Sequence, residues 1–130
     1  MKTNEISYID TFNYKKLRDI TRISSGSSFV PESASVLLTN SSSTINRFIY
    51  EIELHNTNTL LSTGVRLFLN PSGSVTSSVN TQILYVTVAP LETVWVENKC
   101  PYIIANGDTL SGISNVSAVN ILFKGNEGSV

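Results

Sequence analysis

From residue 35 onward the chain reads as short runs of alternating apolar and polar side chains, and no stretch after residue 22 keeps a helical period. The clearest run is NRFIYEIELH at 46–55. Phe48, Tyr50, Ile52 and Leu54 fall on one side, with Glu51, Glu53 and His55 on the other. One apolar face and one charged face suit an antiparallel sheet that is half exposed to water. Ile49 interrupts the polar side and reads as a rim or interface residue. Further strands are predicted over 35–39, 64–70, 82–88, 93–97, 102–104, 109–113 and 117–124. Turn chemistry separates them. NPSG at 70–73 places Asn first, Pro second and Gly fourth, and ANGD at 105–108 is a tight reversal built on Asn106 and Gly107. The stretch 40–44, the stretch 56–63 with two exposed leucines, Leu60 and Leu61, and the polar stretch 74–81 read as loops. NKCP at 98–101 reads as a connection, and GNEGSV at 125–130 as a fraying end.

About eight short strands with turns between them predict an all-β fold, a jelly-roll-like or Greek-key β-sandwich. An up-and-down barrel is the alternative, because strand pairing is not readable from periodicity. The division expected is an N-terminal extended arm over 1–33, a β-sandwich domain over 34–125 and a C-terminal tail over 126–130. Within the arm, YKKLRDI at 14–20 allows one short helical turn with Leu17 and Ile20 on one side, and SSGSS at 24–28 breaks any element.

Composition sharpens this picture. The 130 residues include 19 Ser, 13 Thr and 13 Asn, together with 12 each of Val, Ile and Leu. The β-branched excess favours strands. The formal net charge is -1. That balance lacks the basic excess of a dedicated nucleic-acid binder, so no nucleic-acid partner is expected. No run is long and apolar enough for a membrane-spanning helix, and MKTNEISYID shows no apolar signal-peptide core, so no membrane association is expected. Basic residues concentrate at the start, where Lys2, Lys15, Lys16, Arg18 and Arg22 face only three acids within 22 residues.

Residue types that perform chemistry are scarce. The single cysteine, Cys100, excludes an intrachain disulfide, and the single histidine, His55, stands 45 positions from it. No metal site, cofactor site or catalytic residue is predicted, and the chain is not expected to be an enzyme. Glu51 and Glu53 read as a solvated strand face, His55 as a surface histidine and Cys100 as a small buried hydrophobe. Asp108 reads as a turn residue satisfying backbone N–H groups. Trp95, between Val94 and Val96, reads as a core or intersubunit residue rather than a binding platform.

Two surfaces are predicted to bind partners. Ile6, Tyr8, Ile9, Phe12, Tyr14, Leu17 and Ile20, with the basic Lys15, Lys16 and Arg18, make the arm a docking segment. It is expected to order on a neighbouring protein, and residues 1–22 are expected to be removable without unfolding the domain. Leu84, Tyr85, Val86 and Trp95 cannot all face one thin core, so they are expected to support self-association.

The segments RFIYEIELHNTNTLLSTGVRLFLNPSG and ILYVTVAPLETVWVENKCPYIIANGDTLSGISNVSAVNILFKG together resemble small structural proteins of tailed-bacteriophage virions. The resemblance covers roughly 36–125, with Gly107, Asp108, Thr109 and Leu110 its most pointed part. It implies a capsid decoration or head-fibre component of jelly-roll or sandwich type. Such a component would form a homo-oligomer, with a trimer expected, and dock on the major capsid protein or a neighbouring virion protein. It would be made in the host bacterial cytoplasm and reside in the virion. The alternative is a carbohydrate-binding or receptor-binding module of a phage fibre. A Trp95 that stays solvent-exposed beside polar groups in the assembled form would favour that alternative.

Overall fold

A computed structural model describes residues 15–23, 29, 31–72, 77–116 and 118–129. Eight strands carry the fold: β1 Lys15–Ile23, β2 Ser35–Thr39, β3 Ile45–Asn56, β4 Thr63–Asn70, β5 Gln82–Val88, β6 Thr93–Ile104, β7 Thr109–Ser114 and β8 Val119–Ser129. They form two four-stranded sheets in the orders β1-β8-β3-β6 and β2-β7-β4-β5, with every pairing antiparallel. The first strand pairs with the last, the second with the seventh, the third with the sixth, and the fourth with the fifth. This is a long hairpin closing at β4–β5 and rolled onto itself, which is the jelly roll. The predicted all-β sandwich class holds.

The core fills the space between the sheets. Ile52, Leu54, Val119, Ile121 and Phe123 of the first sheet face Val65, Leu67, Val88 and Leu110 of the second, all essentially without solvent contact. Each such side chain contributes about 1.5–3 kcal/mol on burial. Gly112 of β7 lies where the sheets approach closely. A Cβ there would stand 2.8 Å from Leu67 Cδ2 and 3.1 Å from Ile23 Cδ1.

Bulges account for the places where simple alternation misleads. Between Ile49 and Glu51 the register of β3 shifts against both neighbours, and Tyr50 is the extra residue. The bulge resets the face, so Ile49 is fully buried and Tyr50 is 40% exposed. Ile49 is therefore core rather than rim. Opposite Tyr50, residues 98–101 loop out between Glu97 and Tyr102. NKCP thus interrupts the ladder inside one twelve-residue strand instead of separating two strands. Cys100 sits on this excursion and is exposed, contrary to the buried reading.

The predicted division also changes. Residues 15–23 form β1, a regular edge strand paired with β8 from Lys15↔Glu127 to Ile23↔Val119, and not an arm or a helical turn. Residues 126–129 are not a tail, because β8 continues to Ser129 and pairs with both β1 and β3. Among the arm residues expected to dock, Lys15, Lys16, Leu17, Arg18 and Ile20 have their backbone in this strand. Ile6, Tyr8, Ile9, Phe12 and Tyr14 lie outside the described residues.

Candidate binding surfaces

The two outer faces of the sandwich differ. On the second sheet, Phe68 and Ile113 are buried although neither belongs to the core between the sheets. Arg66 stands over the rings of Phe29 and Phe68, 5.4 Å from each centroid. Its guanidinium donates to Gln82 Oε1 at 2.7 Å and to the Phe29 carbonyl at 2.9 Å. Phe29 meets Tyr85 edge to face at 5.7 Å. Phe29 covers part of this outer face, around Arg66.

On the outer face of the first sheet most of the described side chains of β3, β6 and β8 are polar. Register places Glu53 opposite Trp95 on β6 and opposite Leu122 on β8, and places His55 opposite Thr93 and Asn120. The Trp95 indole N–H donates to Glu53 Oε1. Lys124 Nζ donates to the same oxygen at 3.2 Å and pairs with Glu51 Oε2 at 2.8 Å. Hydrogen bonds from Lys124 to Glu51, and then to Glu53, raise the lysine above its ordinary pKa. His55 Nδ1 and Thr93 Oγ1 share a hydrogen bond of 2.9 Å. A shallow cleft of about 250 Å³ lies between Glu53, His55, Thr93, Asn120, Ile121 and Leu122. Trp95 is 59% exposed, so it is not a core residue of this chain. On the single chain it stands beside the polar Glu53.

Of the four residues expected to support self-association, only Tyr85 and Trp95 are exposed. Leu84 and Val86 pack against the core, because β5 alternates from Leu84 to Val88, after a register shift at Ile83, and sends them inward. Tyr85 and Trp95 lie on different sheets. The four residues therefore do not form one patch.

A surface that strand periodicity did not signal lies at one end of the sandwich. Three loops meet there, which include 57–62, 89–92 and the pair Asn115 and Val116 before β8. Buried Asn56 ties two of them. Its Nδ2 donates to the carbonyls of Leu61 at 2.9 Å, Val88 at 3.1 Å and Ala89 at 3.3 Å. Its Oδ1 accepts from Asn58 N at 3.0 Å. Leu91 N donates to the Asn58 carbonyl at 3.1 Å. Thr57 Oγ1 donates to the Ala118 carbonyl, and Val116 N to Thr63 Oγ1. These bonds fix a platform on which Leu60, Leu61, Leu91 and Val116 all stand exposed, Leu60 by 82%.

Leu91 has φ +57°, in the left-handed region. It follows Pro90 in a turn closed by Glu92 N donating to the Ala89 carbonyl at 3.0 Å. That position ordinarily takes Gly or Asn. A leucine there costs roughly 1–2 kcal/mol and projects an apolar side chain into solvent. Leu60 and Leu61 were readable as exposed, whereas their convergence with Leu91 and Val116 depends on the roll of the chain.

The opposite end is polar. Asp108 Oδ1 accepts from Ser72 N at 2.9 Å and Oδ2 from Ala105 N at 3.0 Å, the turn role predicted for it. Asn40 Nδ2 donates to the carbonyls of Ile45 and Ile104, both at 2.8 Å. Among the described residues no cluster of three His, Cys, Asp or Glu side chains is placed to hold a metal ion.

No family model matches the chain, and no curated protein matches it. Solved structures do share its general form. A Bacillus endospore appendage, described as a disulfide-linked pilus, is 12% identical with TM-score 0.47, covering 90% of this chain and 88% of the other. The capsid of Helicobacter pylori bacteriophage KHP30 is 9% identical with TM-score 0.44, covering 85% and 87%. A family 22 carbohydrate-binding module of Clostridium thermocellum Xyn10B is 12% identical with TM-score 0.43, covering 89% and 85%. Likeness of this degree carries nothing about what this chain binds or assembles with. The strand order alone makes it an all-β jelly-roll sandwich.

Proposed function

We propose that this chain is a non-enzymatic structural subunit of a tailed-bacteriophage virion, a capsid decoration or head-fibre component. It would be made in the host bacterial cytoplasm and used in many identical copies. The observation that carries this reading is the apolar loop end. Leu60, Leu61 and Leu91 stand exposed on loops tied by the buried Asn56, and Val116 on the loop held by Thr57 and Thr63. Loops 57–62 and 115–118 contain no charged residue. Glu92, the one acid in 89–92, turns its carboxylate back to accept from Ala89 N at 2.9 Å. An uncharged apolar cap suits contact between identical ends around a symmetry axis, where one patch is used by every copy. Isolated monomers rarely leave such a group of side chains in water. We place self-association here, with a trimer as the expected state, and leave the remaining surface to the major capsid protein or another virion neighbour. Repetition then multiplies modest contacts.

The test is quantitative mass spectrometry of purified virions from cells producing the chain. Many copies per particle are expected, and a Leu60→Ser, Leu91→Ser double variant should be depleted. Absence of the wild-type chain from particles, despite its expression in the same cells, contradicts the proposal.

A further inference from the structure

We infer that the edge of β6 over residues 93–97 pairs antiparallel with the same segment of a second copy. β6 is an edge strand, and among the described residues no strand lies on its outer side. One bond fixes the direction of its backbone groups. Asn56 N donates to the Glu92 carbonyl at 3.1 Å, and the register that sets His55 opposite Thr93 sets Asn56 opposite Glu92. Bonded and non-bonded pairs alternate along an antiparallel ladder. Val94 and Val96 therefore bond to β3, whereas Thr93, Trp95 and Glu97 turn their N–H and C=O groups outward. Side chains come closest in non-bonded pairs, which agrees with the hydrogen bonds of Thr93 to His55 and of Trp95 to Glu53.

An unpaired edge is a template for another strand, and folded chains blunt it with charge, brevity or irregularity. The other edges carry such devices. β1 contains Lys15, Lys16, Arg18 and Arg22, β2 has five residues and a register shift, and the exposed Tyr85 of β5 already meets Phe29. Residues 93–97 contain no proline or lysine, run without a register shift and leave Trp95 exposed.

A second copy is the occupant because the segment is complementary to itself. A two-fold axis at Trp95 sets Trp95 opposite its own copy, Thr93 opposite Glu97 and Val94 opposite Val96. In this register every outward residue of each copy both donates and accepts. The indoles meet at the axis, a hydroxyl faces each carboxylate, and Val94 and Val96 stay on the core side. An axis at Glu97 would instead oppose two carboxylates. The turn at 89–92 and the excursion at 98–101 end the segment on both sides. So short a contact does not hold a dimer in dilute solution, but it persists where copies already stand side by side. Antiparallel pairing points the two loop ends in opposite directions, so one copy can make this contact and the loop-end contact together. The inference does not depend on the virion reading.

Disulfide trapping in solution reads the register. With Cys100→Ser in every chain, Thr93→Cys and Glu97→Cys are made singly and together and oxidised with diamide. Pairing brings position 93 of one copy about 5.5 Å from position 97 of the other, within disulfide reach. Two thiols per chain raise random encounters about fourfold over one. The paired register should raise the rate of covalent dimer formation at least about tenfold over either single variant. Adding Trp95→Lys sets two ammonium groups at the axis and should remove that excess, with circular dichroism showing the chain folded. Adding Leu60→Ser and Leu91→Ser should leave it in place. A double-cysteine chain no more than about fourfold faster than the singles overturns the inference. So does an excess that survives Trp95→Lys. An excess lost with Leu60→Ser and Leu91→Ser assigns the trapping to loop-end association and also overturns it. None of these results bears on the copy number measured in virions.

Discussion

A Cβ placed on Gly125 would stand 1.7 Å from the carbonyl oxygen of Phe48. The two residues flank the β3 bulge, where Ile49 pairs with Gly125 before the register shifts at Glu51. The close approach allows β3 to change face while staying bonded to β8. Gly125→Ala should therefore destabilise the fold by about 3 kcal/mol or more, because backbone rather than a flexible side chain must move. Gly64→Ala is the control. Its added methyl meets nothing nearer than 3.5 Å, so it should cost less than about 1 kcal/mol. Urea unfolding of both variants checks the contrast.

Asn56 offers a test of the loop platform. Three carbonyls surround its Nδ2 in a site with no solvent contact. Asn56→Asp preserves shape but replaces the donor with an oxygen facing those carbonyls. A loss of about 3 kcal/mol or more is expected at neutral pH. Thermal unfolding that matches wild type would remove this residue from its organising role.

Leu91 should separate stability from assembly. Leu91→Gly relieves the left-handed strain and should raise stability by up to about 1 kcal/mol. It also removes one of the exposed apolar side chains and should weaken self-association. A variant that melts higher yet associates less, read by calorimetry and light scattering, is the expected pair of results. Unchanged association would show that Leu91 is not at the contact.

Lys124 sets a pH dependence. Its pKa is raised above 10.5 by Glu51 and Glu53. A base whose pKa is higher in the folded state adds stability fully below its unfolded pKa. That contribution is lost as pH rises through the folded value. The stabilisation should therefore be present at neutral pH, decline above pH 10.5 and be small, because the ammonium is exposed and screened by salt. Denaturation between neutral pH and this range should show a decline that is reduced in Lys124→Gln.

The first strand shows where sequence reading fell short. KKLRDITRI lacks a clean two-residue alternation and is basic, so 15–23 read as part of an arm. What makes it a strand is the unpaired edge of β8 beside it, together with a buried pocket for Ile23. Deleting residues 1–22 should consequently destabilise the domain instead of leaving it folded. Proteolysis and circular dichroism of the truncated chain check this. By contrast, β3 was legible because most of it carries its own alternation, and β5 because QILYVTV is rich in β-branched and aromatic residues. The pairing of Glu53 with Trp95 was not, since register between strands 42 positions apart depends on the bulge and on the roll. The faces of Leu84 and Val86 followed from alternation, but which face was core did not.

Sedimentation velocity across a concentration series tests the central claim most directly. One chain has a mass of 14.2 kDa. The account predicts a defined larger species, expected at three times that mass, which returns to monomer in the Leu60→Ser, Leu91→Ser variant while the circular dichroism stays β. A wild-type chain that remains at 14.2 kDa up to about 0.5 mM would contradict it, as would an oligomer that the double substitution leaves intact.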